Sequence, residues 1–313
     1  MRALFRAMEE DAKVREAMAR FSQSGGQSFL YGVSGSAQAA VFAAAYAACP
    51  RPFVILTQDR ANLLAWQEDL TSLLPSATIL ELPEVDMATF RAAAKSVDLM
   101  ARRMDVLGRL MRGEAVIVLA QISAAVQKGI SRRDFERLSL RLKLGAAIDR
   151  DEVLRRLVRL GYEASPEVER MGQFSARGGI VDLFPINQLV PIRVEFFDDE
   201  IDSLREYDLV TKRSQRNVEA VNVLPLARTD EGGKPELFLS YLDGTGVVLF
   251  HEPMHLKESI ARLLRENAEA TRQLFTYEEL VAGAARETVF YTALMLHTIP
   301  EASLDAVISL TAQ

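Results

Sequence analysis

The segment HEPMH, His251 to His255, matches the zinc-protease signature H-E-x-x-H. In that signature two histidines one helical turn apart bind zinc, and the glutamate acts as the base. Here an apolar, strand-like segment precedes the motif, and Pro253 suits the first position of a helix but not its interior. The two histidines would then not share a helix face, and nothing selects His297 as a third ligand. The sequence therefore argues against a zinc hydrolase and predicts no metal site.

A second candidate for chemistry is YGVSGSAQAA, Tyr31 to Ala40, where a predicted strand turns into a helix. Gly32 fills the first position of the phosphate-loop pattern G-x-x-x-x-G-K-[ST]. Ala37, Gln38 and Ala39 replace the second glycine, the phosphate-binding lysine and the magnesium-binding hydroxyl residue, so we expect no triphosphate chemistry. The alternative is an ordinary Gly/Ser loop that starts a helix. The residues of this degenerate loop, none of them expected to bind nucleotide, are Gly32, Gly35, Ala37, Gln38 and Ala39.

The segment VEFFDDE, Val194 to Glu200, resembles a strand that ends in the Asp-Glu pair of a magnesium-dependent ATPase. It continues as IDSLREYD, an alternating strand, so an acidic tight turn between antiparallel strands is the better explanation. With three histidines and the single cysteine Cys49, few candidates for nucleophilic catalysis exist. Cys49 also cannot form an internal disulfide or a cysteine-rich zinc site.

The composition describes an ordinary globular protein: 313 residues, 49% hydrophobic and 26% charged, with a formal net charge of -6. This length predicts about two domains, or one with an insert. No apolar run approaches the roughly 18 residues of a membrane span, and the amino terminus through Phe21 predicts one charged amphipathic helix. We expect a cytoplasmic protein with no membrane partner.

The charge is uneven along the chain. Between Lys128 and Arg159 ten cations stand against five acids. Such a run usually forms a solvated helix face, and a nucleic-acid surface would be expected to interleave aromatic residues. Contact of this stretch with DNA stays open.

Strands alternate with helices in the first part of the chain. We expect helices over 37–48, 62–74 and 96–111, and strands over 53–57, 77–82 and 115–120. This alternation predicts an α/β domain with a parallel sheet covered on both faces.

After Leu144 the pattern changes to a helix over 149–160, closed by a left-handed Gly161, and then to short alternating strands. Turn residues separate these strands, which favours an antiparallel meander in a small α+β module. A strand over 247–250 and a helix over 254–274 return to the first pattern. The final ISLTAQ resembles a strand cut short, so we expect a longer polypeptide.

The stretch GQFSARGGIVDLFPINQLVPIRVEFFDDEIDSLREYD, 172–208, resembles the motif shared by the excision-repair protein UvrB and the transcription-repair coupling factor family. The resemblance implies a helicase-like parallel-sheet domain with a degenerate nucleotide site, interrupted by a small antiparallel α+β domain. It places the first domain at 1–143, the inserted domain at 144–225 and the completion of the first domain at 226–313.

Two departures from UvrB favour the amino-terminal, UvrB-like region of the coupling factors. UvrB has an intact phosphate loop and a long aromatic DNA hairpin, whereas residues 81–103 here hold no tyrosine. The resemblance implies a non-catalytic, cofactor-free and monomeric module that recruits UvrA. RNA polymerase, double-stranded DNA, ATP and magnesium would concern only the longer parent. A UvrB-type DNA-binding ATPase is the alternative.

By the same resemblance, the UvrA-docking patch falls on Arg177, Arg193 and Phe197. Arg193 and Phe197 are four residues apart on one predicted strand and so share a face, and Phe196 should be buried on the other. From periodicity alone, a buried Phe197 with two solvated arginines is the alternative.

Overall fold

The structure, a computed structural model, describes residues 2–85, 94–226, 234–266, 270–297, 299 and 302–310. The helices, numbered along the chain, are α1 (Arg2–Met8), α2 (Ala12–Ser22), α3 (Gly35–Ala48), α4 (Arg60–Leu73), α5 (Ala94–Met111), α6 (Ile122–Ala125), α7 (Arg132–Leu138), α8 (Arg150–Arg159), α9 (Pro253–Glu266), α10 (Ala270–Gln273) and α11 (Tyr277–Ala284). A 3-10 turn covers Phe238–Tyr241.

The strands, likewise in chain order, are β1 (Gln27–Tyr31), β2 (Phe53–Thr57), β3 (Thr78–Leu82), β4 (Val116–Gln121), β5 (Leu140–Lys143), β6 (Glu163–Ala164), β7 (Gln173–Arg177), β8 (Ile180–Leu183), β9 (Ile192–Phe197), β10 (Glu200–Tyr207), β11 (Ser214–Asn217), β12 (Ala220–Val223), β13 (Val247–His251), β14 (Thr288–Ala293) and β15 (Ala306–Ser309).

The chain divides into two compact units. The first unit takes residues 1–84, 109–129 and 236–313, and the second takes residues 85–108 and 130–235. The inserted domain expected at 144–225 falls within the second unit, and its two boundaries stay a prediction.

The first unit contains a seven-stranded parallel sheet in the order β15-β1-β14-β13-β2-β4-β3. All five residues of β2 are buried. Continuous apolar strands of this kind are typical of parallel sheets that helices cover on both faces. The predicted α/β architecture is therefore confirmed.

Aromatic rings from four elements fill the core of the first unit. Phe21 of α2 meets Phe53 of β2 edge to face, with ring centroids 5.2 Å apart. Phe42 of α3 meets Phe290 of β14 in the same way at 5.3 Å. Such edge-to-face contacts add to the free energy gained by burying the rings, so they hold α2 and α3 on the sheet.

The prediction of a single amino-terminal helix is wrong. Two helices, α1 and α2, occupy this segment, and the side chain of Asp11 accepts hydrogen bonds from the backbone N–H groups of Lys13 and Val14. Asp11 is thus an N-cap, which starts a new helix by satisfying donors that a continuous helix would bond internally. The helix expected over 254–274 begins at Pro253 as α9, and 267–269 lie outside the described residues.

The second unit contains a six-stranded sheet in the order β11-β10-β9-β8-β7-β6. Its neighbours are antiparallel except for the short pair β6 and β7. Two-residue turns join β7 to β8 and β9 to β10, and β5 pairs separately with β12. The predicted small α+β module with an antiparallel meander is therefore confirmed.

Helix α8 supplies part of the core of the second unit. Its N-cap Asp149 accepts a hydrogen bond from the backbone of Glu152, and Gly161 after its end has a φ of 89°, as predicted. Val153 and Leu157 are fully buried. The buried hydroxyl of Tyr162 donates to the carbonyl of Leu224 and accepts from the N–H of Ile186, which ties three segments of the unit together.

None of the helices within the described residues has the length and apolar composition that crossing a bilayer requires.

Candidate protein-docking site

The six-stranded sheet has one apolar and one polar face. In the strand register, Ile180 lies opposite Arg177 and Glu195, and Arg193 lies opposite Asp182 and Arg205. Since side chains alternate between the faces of a strand, these residues share the polar face. The intervening residues of the opposite face are fully buried: Val181, Leu183, Ile192 and Val194.

The structure brings the three predicted patch residues onto this polar face. Arg177 is the last residue of β7 and Phe197 the last of β9, and both are exposed. Arg193 stands near the start of β9, four residues before Phe197. The three side chains thus lie along two strands separated only by β8.

Phe197 departs from what periodicity alone favoured. Its side chain is 73% exposed, and Ile180 on the same face is 37% exposed. An exposed aromatic ring beside an exposed aliphatic residue is a feature of protein-binding surfaces. Phe196 lies on the opposite face as expected but is half-buried, because it stands at the end of the sheet, opposite Ile201 and next to the turn.

Arg193 is held in place and not solvated on all sides. Its Nε and Nη2 donate to the two carboxylate oxygens of Asp182 at 2.7 and 2.8 Å. Its guanidinium carbon lies 4.9 Å from the ring centroid of Tyr207. The hydrogen bond to Asp182 raises the pKa of Arg193, so the group stays charged.

Arg177 is exposed, and its Nη2 donates to the carbonyl oxygen of Pro166 at 2.8 Å. A neighbouring ion pair on the same face joins Arg205, which lies opposite Arg193, to Glu195, which lies opposite Ile180, at 3.0 Å. The face therefore combines an exposed apolar end with arginines whose positions are fixed by local bonds.

Sequence reasoning missed Asp182, Tyr207 and Ile180. Taking Gly178 and Gly179 as a two-residue turn fixes the register of β7 on β8, and that register puts Ile180 beside Arg177. The role of Asp182 as the partner of Arg193 could be predicted only with the register of β8 on β9 as well.

The degenerate loop lies in the first unit, from the end of β1 into the first turns of α3. Gly32 and Gly35 have positive φ values, 92° and 58°, and the N–H of Gly32 donates to the carbonyl of Leu294. Ala37 is exposed, whereas Gln38 and Ala39 are buried in the first turns of α3. The strand-turn-helix placement is confirmed, and the absence of nucleotide binding stays a prediction.

The other two motifs adopt the local structures predicted from sequence. His251 ends β13, Pro253 is the first residue of α9, and His255 lies in the first helical turn, so the two histidines do not share a helix face. Over the parts of the chain that the structure describes, no group of three or more His, Cys, Asp or Glu side chains could hold a metal. Asp198 and Asp199 form the tight turn from β9 to β10.

Acids of the same segment pair with several cations of the basic stretch. Arg155 and Arg156 both contact Glu152, at 3.0 and 3.3 Å. Arg137 pairs with Asp134 at 3.2 Å. These local pairs reduce the positive charge that the stretch presents to solvent.

The polar face lies within a region that matches a known domain family. Residues 140–228 match the model of the UvrB interaction domain. This range contains all six strands of the second sheet.

Over a longer stretch, the chain is similar to transcription-repair-coupling factors. It is 33% identical over 199 residues to that of Bacillus subtilis, which is 64% of this chain and 17% of the relative. It is 30% identical over 223 residues to that of Staphylococcus aureus strain RF122, which is 71% of this chain and 19% of the relative. The matches thus span less than a fifth of these relatives. Over these matched stretches, the chain is therefore homologous to part of the transcription-repair-coupling factors, and residues 140–228 belong to the UvrB interaction domain family.

Proposed function

We propose that this chain is a non-catalytic docking module that recruits UvrA in transcription-coupled nucleotide excision repair. The observation that carries this proposal is the placement of exposed Phe197, Arg177 and the clamped Arg193 on one sheet face, within residues 140–228. The names of the matching domain and relatives supply the repair context.

The chemistry of the face fits a protein partner. Aromatic and arginine side chains dominate the binding energy of protein interfaces, often at about 2 kcal/mol or more for each such anchor. Burying Phe197 would remove its ring from water, and the arginines would meet acceptors on UvrA. Because the patch residues lie on strands that are paired along the sheet through β8, little ordering of the backbone is needed on binding.

The same proposal assigns no catalysis and no cofactor to the chain. Buried Gln38 and exposed Ala37 supply neither the charge nor the metal ligand of a phosphate loop. In a longer, cytoplasmic parent with a motor, ATP, magnesium, double-stranded DNA and RNA polymerase would belong to other domains. A monomeric module suffices for docking.

The test is binding of purified UvrA to Arg177→Glu and Phe197→Ala variants. Each should weaken binding at least about tenfold, the loss expected when a central anchor is removed. Arg213→Glu is the matched control, because Arg213 is an exposed arginine in the turn at the other end of the same sheet.

The free energy of unfolding should change by no more than about 0.5 kcal/mol, as for most surface substitutions. Wild-type affinity in both patch variants would refute the proposed function.

A further inference from the structure

The pair Asp182 and Arg193 has a geometry that constrains how Arg193 can meet a partner. The two residues lie directly opposite each other on β8 and β9, and their side chains are each 22% exposed. Both carboxylate oxygens accept hydrogen bonds, from Nε and Nη2, at 2.7 and 2.8 Å. This is the bidentate arrangement that fixes the plane of a guanidinium group and not only its distance.

Tyr207 adds a second constraint. It is 1% exposed, and its ring centroid lies 4.9 Å from the guanidinium carbon of Arg193. A cation that rests on an aromatic face is attracted to the ring, and this holds the guanidinium on one side. Arg193 is therefore fixed along one edge by a carboxylate and on one face by a ring.

The donors that remain on Arg193 define what it can bind. Arginine has five N–H donors, and Asp182 uses the one on Nε and one on Nη2. One of the two on Nη1 and the second on Nη2 form the adjacent, end-on edge of the guanidinium group. That edge matches the two oxygens of another carboxylate.

We propose that Asp182 is a positioning residue that presents the free edge of Arg193 to a carboxylate of UvrA. This inference rests on the proposed function and adds a partner chemistry to it. Without Asp182, the long arginine side chain would have to be ordered at the moment of binding, and that cost would weaken the complex.

A variant at Asp182 separates positioning from simple charge. Asp182→Asn makes the face more positive, so attraction to an acidic partner alone would speed association and tighten the complex. Positioning predicts the opposite effect on affinity, because the loss appears in the dissociation rate.

The experiment measures association and dissociation rates of immobilised UvrA with Asp182→Asn, Arg193→Lys and the double variant. Each single variant should dissociate about tenfold or more faster, as when one partner of a positioned charge pair is lost. The double variant should dissociate no faster than the faster-dissociating of the two single variants, because both changes break the same arrangement. Arg193→Lys keeps the charge and so tests the fork even where Asp182→Asn folds poorly.

Glu206→Gln is the matched control. It makes the same change of charge in the same sheet, but Glu206 lies opposite Ile192, on the other face, and pairs with Arg216. It should dissociate at the wild-type rate within about twofold, because sites without shared partners are independent. Thermal unfolding of each variant, followed by circular dichroism, identifies a temperature at which all variants are folded, and the binding rates are measured at that temperature.

The results distinguish this inference from the proposed function. Wild-type dissociation of Asp182→Asn or of Arg193→Lys, with binding lost in Arg177→Glu and Phe197→Ala, overturns the positioning role alone. Wild-type binding of all four variants overturns the docking function with it.

Discussion

A Cβ atom added to Gly179 would lie 2.9 Å from the carbonyl oxygen of Phe196. The same two residues are joined by a hydrogen bond of 2.8 Å from the N–H of Phe196 to the carbonyl of Gly179. The turn between β7 and β8 thus packs against the end of β9, one residue before Phe197. This contact couples the position of exposed Phe197 to the absence of a side chain at Gly179.

Gly179→Ala should therefore affect both stability and docking. The added methyl group must displace backbone, which typically costs about 1–3 kcal/mol in a packed site, and the shift would carry Phe197 with it. Denaturant unfolding and UvrA affinity check the two effects.

Gly178→Ala is the control for this change. Gly178 has a φ of 56°, but a Cβ there meets nothing within 4 Å. Its cost should be the backbone strain of about 1–2 kcal/mol for a left-handed residue, with UvrA affinity retained. Equal losses of affinity in the two variants would contradict a specific role for the contact with Phe196.

His251 should make the protein less stable in mild acid. Burial lowers the pKa of this histidine below its ordinary 6.5, and its ring packs edge-on against Trp66 at 5.7 Å. Below pH 6.5 the unfolded chain binds this proton more readily than the folded one. The contribution of His251 to stability is thus full above pH 6.5 and is lost as the pH falls toward the lowered pKa.

The check is the free energy of unfolding of wild type and His251→Phe at neutral pH and in mild acid. The wild type should lose stability relative to the variant on acidification, because phenylalanine keeps an aromatic ring but cannot take up a proton. His255→Gln, at an exposed position of α9, should keep most of the loss, because burial, the main cause of the lowered pKa of His251, is unchanged. Parallel pH dependences of wild type and His251→Phe would show that His251 is not the group responsible.

Millimolar Mg-ATP should leave the melting temperature unchanged. A ligand present at a hundred times its Kd would add about 2.7 kcal/mol of stability, which thermal unfolding detects readily. The loop from Gly32 to Ala39 lacks the lysine and hydroxyl side chains that such affinity requires. A magnesium-dependent rise in melting temperature would favour the UvrB-type ATPase instead.

Local patterns predicted the elements of the fold well. The strand expected over 53–57 is β2, residue for residue, because a fully buried apolar run between turn signals has few other structures open to it. Helix α8 was placed within one residue at each end by Asp149 and Gly161. The break at Asp11 was missed because the amphipathic pattern runs through it.

The contacts that hold Arg193 in place could not be predicted from the pattern of a single strand. Period-two alternation puts Arg193 and Phe197 on one face, but the bond from Asp182 to Arg193 depends on the register of β8 with β9. The contact with Tyr207 requires β10 as well. Register across strands is set by turns and long-range packing, which a single segment of sequence does not reveal.

The neighbours of β1 have a consequence for synthesis on the ribosome. Within the described residues, this strand, starting at Gln27, has β14 on one side and β15 on the other, and both lie beyond position 287. During synthesis, β1 therefore has neither partner strand until the chain has emerged through β14, which begins at Thr288. In the intervening sheet, the β7-β8 and β9-β10 hairpins close through two-residue turns and can form early. Premature truncation before Thr288 would thus release a chain with a finished insert and an apolar strand open to aggregation.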